Sequence, residues 1–297
     1  MGYLTKMKSI YNEMIKVNKG WSNDTKYKVI LGQEPYLLRV SQIRLKDRIT
    51  KLFDIMYQLD KYSVPICSPI KMSVVDGDIH ALYSWIDGHD LNDMIDDFDE
   101  NEQYQLGIVS GNHLRTIHRI EVPNHLEPWS NRFNKKIDSK IKKYRESNLK
   151  VDEIELFIHY VNQKRYLLND RPQCFQHGDY HVGNFMINDS NELKIIDFDR
   201  YDFGDPWEEF NRIVWSAQKA PSFASGMIDG YFEKQVPDTF WELLLLYISS
   251  NTISSLVWGL EISEAEYQVM VDQMHEILQW YDYLKISIPK WYKTKKV

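Results

Sequence analysis

Cysteine is nearly absent: Cys67 and Cys174 are the only two in 297 residues. Two thiols cannot build a disulfide framework, and the pattern fits a reducing cytoplasm. Long hydrophobic runs are also lacking. The longest, around Leu243 to Ile248, follows Glu242 and is too short to span a bilayer, so no membrane association is expected. Met1 to Lys19 carries charges throughout and has no apolar core segment, so a secretory leader is not expected. There is no surplus of positive charge. With 36 Lys and Arg against 43 Asp and Glu, the net charge of −7 argues against general nucleic-acid binding. Internal repeats and low-complexity tracts are missing as well.

What is present is enough apolar content, 43%, for a sizeable core. Residues 1–19 alternate apolar and charged positions in a helix-like way. Tyr27–Leu31 and Tyr36–Val40 read as strands around the hairpin Gly32-Gln33-Glu34-Pro35. Leu45, Ile49, Leu52, Phe53, Met56 and Leu59 mark one helix face. Met72–Val75 and His80–Trp85 flank Asp76-Gly77-Asp78, a second hairpin signal. Past the connector Ile86-Asp87-Gly88 the pattern turns helical. Tyr104–Ile120 carries a core stripe of Leu106, Val109, Leu114 and Ile117. The lysine-rich run Asn131–Lys150 reads as a solvated helix or a lid over a ligand. Val151–Leu168, Phe240–Leu260 and Ser263–Leu284 read as further helices. Residues 1–86 and 87–297 are expected to form two lobes of one catalytic unit.

The most informative stretch is His177-Gly178-Asp179-Tyr180-His181-Val182-Gly183-Asn184, followed by Ile195-Ile196-Asp197-Phe198-Asp199. Phe185-Met186-Ile187 and Leu193-Lys194-Ile195-Ile196 read as two strands joined by the turn-forming Asn188-Asp189-Ser190-Asn191. Asp197 then sits at a strand end facing Asn184. An Asp with an Asn five residues later, and a second Asp returned to the same place, suits phosphoryl transfer from a Mg-nucleotide. Three such polar groups on a strand-rich buried scaffold would be costly without a ligand.

At these residues the sequence resembles the aminoglycoside phosphotransferase family, small-molecule kinases related in fold to protein kinases. His177-Gly178-Asp179, four residues, then Asn184 matches the family's loop. Ile196-Asp197-Phe198 and Gly204-Asp205-Pro206 match the segments that follow it. The resemblance implies an α+β, bilobal kinase-like fold with a small β-rich N-terminal lobe and a larger, mostly helical C-terminal lobe. It implies transfer of the γ-phosphate of ATP or GTP to a hydroxyl, with Asp179 as base and Asn184 and Asp197 holding Mg²⁺. His177 is expected as scaffold, Tyr180 and His181 as loop packing, and Asp205 as a structural turn residue.

For the nucleotide, Trp21-Ser22-Asn23-Asp24 replaces a Gly-x-Gly-x-x-Gly loop, with only Gly20 nearby, and Ser22 and Asn23 are expected to donate to phosphate. Arg39 stands where the family presents a strand Lys, gaining a fork but losing equivalence. Its helix partner is expected to be Asp54, with Asp47 the other choice. Backbone groups of Ser84 and Ile86 are expected to pair with the base. Acidic residues after Asp197 suggest a cationic acceptor of the aminoglycoside type, reached by Asp199 and Glu209. Trp258, Trp280 and Tyr281 are read as core, or else as aromatic walls for the acceptor. Choline, homoserine or macrolide kinases on the same scaffold remain alternatives. A metal-dependent hydrolase built on His177, Asp179, His181 and Asp197, or a nucleotide-binding pseudoenzyme, is a more remote one. A monomer or dimer is expected.

Overall fold

The computed structural model describes residues 11, 13–18 and 24–293. These fall into two compact units. The first comprises residues 1–91 and 184–200, the second residues 92–183 and 201–297, over the described residues of each. The sequence boundary at 86/87 does not contain the return of 184–200 to the first unit.

The first unit is built on an antiparallel sheet in the order β1-β2-β3-β5-β4. Its strands are β1 (Glu13–Val17), β2 (Thr25–Leu31), β3 (Glu34–Gln42), β4 (Pro69–Val75) and β5 (Asp78–Ser84). The β4–β5 turn takes positive φ at Asp76 and Gly77, the twist-matched geometry of a two-residue hairpin. The helix α1 (Lys46–Lys61) buries Leu52, Phe53, Ile55, Met56 and Leu59, and Phe53 meets the Tyr83 ring at 5.4 Å. On one sheet face Tyr11, Val29, Leu38 and Leu82 form a cluster joined by Met14 and Tyr27.

Residues 13–17 thus correct the helical reading of the N-terminal segment: they pair with β2, Met14 opposite Val29. The gain is apolar burial on the sheet face, and tertiary contact overrides a weak local period. Residues 1–10 lie outside the described set. A second, three-stranded sheet, β6-β8-β9, is formed by β6 (His89–Asp90), β8 (Phe185–Ile187) and β9 (Leu193–Ile195). Ile195 N donates to Pro65 O at 2.7 Å, tying this hairpin to the segment before β4.

The second unit is helical, with one small strand pair, β7 (Cys174–Gln176) and β10 (Asp202–Gly204). Its helices are α2 (Glu100–Ile117), α3 (Trp129–Glu146), α4 (Ile154–Lys164), α5 (Ile213–Lys219), α6 (Pro221–Tyr231), α7 (Asp238–Ile262) and α8 (Glu264–Trp280). Asp99 and Glu102 close a capping box at the start of α2. Gly107 and Gly111 of α2 lie against Gly226 and Gly230 of α6 so closely that an added Cβ would meet backbone at 2.1–2.3 Å.

The lysine-rich run is α3, an amphipathic helix whose Trp129, Phe133, Ile137 and Tyr144 point inward. The apolar run at 243–248 belongs to α7, whose 25 residues are long and apolar enough to cross a membrane by length and composition. However, 72% of that window is buried inside the protein, as befits a core helix. Tyr281 is buried and Trp258 is exposed on α7.

Candidate active site

In the first unit, β2 and β3 place Lys26 and Arg39 at paired register positions, so both side chains leave the same sheet face. Arg39 Nη2 donates to Asp24 Oδ2 at 2.7 Å and also to Asp199 Oδ2. Arg48 Nη2 donates to the Asp199 carbonyl at 2.8 Å. Asp54 is exposed on the outer side of α1 and makes no bond to Arg39 among the described residues. That corrects the expected pairing. The inward positions of α1 are filled by apolar side chains, which turns Asp54 away, and Asp47 is exposed too. Asp24 and Asp199 take the role instead. Asp199 was expected to touch the acceptor; here it is the counter-charge of Arg39.

The hairpin β8–β9 pairs Phe185 with Ile195, and Ile196 N donates to Asn184 O at 3.0 Å. Asn184 therefore lies alongside the residue that precedes Asp197. Asp197 has φ of +66°, in the left-handed region that Asp and Asn adopt more readily than other non-glycine residues. Its Oδ1 is buried and accepts no hydrogen bond among the described residues. Burial first, and the Asp199 charge next, push the Asp197 carboxyl above its ordinary value against the pull of Lys26 and Arg39. Asp199 behaves oppositely. Burial raises it, but Arg39 and Lys26 outweigh that and hold it below the usual carboxylate range.

An orphaned carboxylate oxygen amid surplus negative charge, opposite an amide-bearing residue, is a hard-oxygen donor set that fits a divalent cation. Nearby, burial pushes the Cys67 thiol up to about 12 despite Arg39, so it stays protonated. Ser84 N donates to Ser68 O at 2.9 Å, and Ile86 follows the strand end half-buried. Ser22 and Asn23 lie outside the described residues.

In the second unit the loop after β7 is fixed at nearly every residue. His177 is fully buried, and its Nδ1 accepts from Asp179 N at 3.2 Å. Gly178, at φ +84°, donates its N–H to Glu209 Oε1 at 2.9 Å. Tyr180 OH donates to Ser110 O and Val182 N to Ser216 Oγ, at 2.8 and 2.9 Å. Glu209 therefore holds the loop from below. With its side chain fully buried, the expectation that it reaches an acceptor is corrected. Asp205 is structural, as expected: buried, gripped by Arg171 Nε and Nη2 at 2.6 and 2.9 Å, and bonded by Tyr247 OH at 2.6 Å.

Asp179 retains 20% side-chain exposure. Arg212 Nε lies 3.3 Å from its Oδ1 and His181 Nε2 3.8 Å away. Arg212, 33 positions downstream, carries no motif; only the fold brings it to the loop. Among the described residues no three His, Cys, Asp or Glu side chains gather as a metal cluster of the kind the hydrolase alternative required.

The fold is that of the aminoglycoside kinases. A thermostable mutant of aminoglycoside phosphotransferase APH(4)-Ia, in ternary complex with ADP and hygromycin B, superposes with TM-score 0.67 at 13% identity, covering 93% of this chain and 97% of that one. The gentamicin complex of APH(2")-IIa gives 0.66 at 17%, covering 92% and 95%. ADP-bound APH(2'')-Ib gives 0.64 at 17%, covering 98% of both chains. Such identities establish the fold alone. The sequence itself belongs to the APH phosphotransferase enzyme family, whose model matches residues 13–242. No curated protein matches it.

Proposed function

We propose that the protein transfers the γ-phosphate of ATP or GTP to a hydroxyl of a small molecule in a Mg²⁺-dependent reaction. The observation that carries this reading is Asp197: a half-buried carboxylate whose Oδ1 is buried and accepts no hydrogen bond among the described residues, set by the β8–β9 hairpin beside Asn184. These two residues would hold Mg²⁺, which would supply positive charge to offset that of the phosphates. Arg39 would contact the α- and β-phosphates, its orientation set by Asp24 and Asp199. Asp179 orients the acceptor hydroxyl and receives its proton as the new O–P bond forms and ADP or GDP leaves. Ser22, Asn23 and the backbone of Ser84 and Ile86 complete the nucleotide contacts in this reading.

Support for the donor comes from neighbours solved with ADP, and for a polyhydroxylated acceptor from neighbours solved with hygromycin B and gentamicin. An aminoglycoside-type antibiotic is one such acceptor. The carboxylates Asp199 and Glu209 that favoured a cationic one are engaged elsewhere. The reading places the enzyme in the cytoplasm as a monomer or dimer. ADP release measured with Mg-ATP across sugars, amino alcohols, hydroxy acids, macrolides and aminoglycosides tests it. At least one acceptor should stimulate release well above the acceptor-free rate. Nucleotide binding with no stimulation by any of them would favour a pseudoenzyme.

A further inference from the structure

The chain beyond Pro206 reaches the loop of Asp179 twice. Glu208–Arg212 is a 3-10 turn, in which side chains three apart lie over one another. Glu209 and Arg212 therefore leave the same face. The rest of the turn is fixed by other contacts. Phe210 is buried against the Tyr231 and Phe240 rings at 5.1 and 5.4 Å. Asn211 Nδ2 donates to Glu208 O at 2.7 Å, and Glu208 N donates to Asp205 O at 2.9 Å. From their shared face, Glu209 Oε1 takes the Gly178 N–H and Arg212 Nε stands 3.3 Å from Asp179 Oδ1. One residue holds the backbone just before Asp179, and the other faces its carboxylate.

Arg212 Nε is buried, and its N–H makes no hydrogen bond among the described residues. A donor shut away from water gains most from the acceptor within reach, which here is Asp179 Oδ1. Hydrogen bonds at catalytic groups are often long or poorly aligned before substrate binds, and tighten when it does. His181 Nε2 faces the same oxygen at 3.8 Å. Fixing Oδ1 stops the carboxylate turning about its Cβ–Cγ bond, and so fixes the direction of Oδ2. With both side chains only 20–21% exposed, solvent screens the pair less than it would a surface one. Position is most of what phosphoryl transfer asks of the residue that orients the acceptor.

We propose that Arg212 is a positioning residue that aims the Asp179 carboxylate at the acceptor hydroxyl, while Glu209 sets the backbone that carries it. The proposal rests on the phosphotransfer reading for the role of Asp179.

Two double-mutant cycles on the full chain test it. The first reads ADP release from saturating Mg-ATP with water as the acceptor. Arg212→Gln should lower kcat about 10- to 100-fold and leave the KM for Mg-ATP unchanged. Arg212→Lys, which keeps the charge, should restore part of the loss. In an Asp179→Ala background Arg212→Gln should have no further effect, because a residue that acts through Asp179 has nothing left to position. The second cycle reads thermal midpoints of Arg212→Gln, Asp179→Asn and the double variant, which should be non-additive. Additive midpoints, an undiminished effect of Arg212→Gln in Asp179→Ala, or coupled midpoints with unchanged turnover would each overturn the proposal. Should Arg212→Gln fail to fold, Arg212→Lys carries both cycles. A wild type that releases ADP no faster than Asp179→Ala would count against the phosphotransfer reading, and the midpoints would still decide whether the two side chains are paired.

Discussion

In the first unit Asp24, Asp197 and Asp199 gather around Arg39, Lys26 and Arg48, and Asp197 keeps one buried oxygen that accepts no hydrogen bond among the described residues. In the second unit Arg212 and Lys140 face Asp179 and Glu208, and burial lowers the affinity of Lys140 for its proton. The first cluster leaves a carboxylate oxygen without a hydrogen bond among the described residues, whereas the second sets its cations against its carboxylates one for one. An unpaired charge away from water is costly, so the Asp197 oxygen is where the proposed Mg²⁺ would complete the structure.

The sharpest break in this contrast is Asp179→Ala. Turnover should fall about 10²- to 10⁴-fold with nucleotide affinity unchanged, measured as ADP release beside equilibrium nucleotide binding. Near-wild-type turnover would remove Asp179 from the chemistry.

Arg39→Ala should rank next. It strands Asp24 and Asp199, and chemical denaturation should show a loss of about 2–4 kcal/mol, less than for a fully buried pair because these side chains keep 13–27% exposure. The acid limb of stability should change with it. Asp199, held below its ordinary value, contributes stability present above about pH 4 and lost as pH falls through its lowered folded value. A wild-type acid profile in Arg39→Ala would show that Asp199 is not held by this pair.

Lys140→Met sharpens the other side. Its depressed folded value means the native state binds fewer protons than the unfolded chain between about pH 8 and 10.4, so wild-type stability rises with pH across that window. The substitution should add about 1–2 kcal/mol at pH 7, a gain that fades toward pH 10.4. A constant gain at every pH would point to packing and not charge.

Asp197→Asn should have a smaller effect on the metal-free protein, stabilising it by up to about 1 kcal/mol by thinning the negative cluster. It should also abolish the rise in thermal midpoint that Mg²⁺ produces in the wild type. A Mg²⁺ shift retained by the variant would place the ion elsewhere. Least of all, Asp54→Ala should change stability by no more than about 0.5 kcal/mol. A larger loss would restore the helix carboxylate to the role that Asp199 fills.

Much of the site was readable because its key residues are close in the chain. Asp179, Asn184 and Asp197 lie on one loop and one hairpin, and local spacing plus the turn at 188–191 suffices to place Asn184 beside the Asp197 strand end. The strands read at Tyr27–Leu31 and Tyr36–Val40 around Gly32-Gln33-Glu34-Pro35 were readable for the same reason, although the pairing extends to 25–31 and 34–42 and leaves only two residues for the turn. Partners chosen by packing were not. Asp54 and Asp47 were the counter-charges that the helix pattern offered, and only the inward face of α1, filled by Leu52, Phe53, Ile55, Met56 and Leu59, decides against Asp54. Glu209 looked like a ligand for an acceptor until its burial under Gly178 was visible. β1 was misread because an edge strand of five residues that sends Met14 to the Tyr11, Val29, Leu38 and Leu82 cluster has too few apolar residues to show its period.

By itself, then, the amino-acid order was enough for the family, the kind of fold and the loop-and-hairpin motif that places Asn184 beside Asp197, because those depend on contacts between near neighbours. The tertiary structure alone decided which charges are answered and which are left open: Asp199 on Arg39, Arg212 beside Asp179, Lys140 against Ser250. Burial and the balance of charge are set by residues far apart in sequence, and no local pattern encodes their meeting.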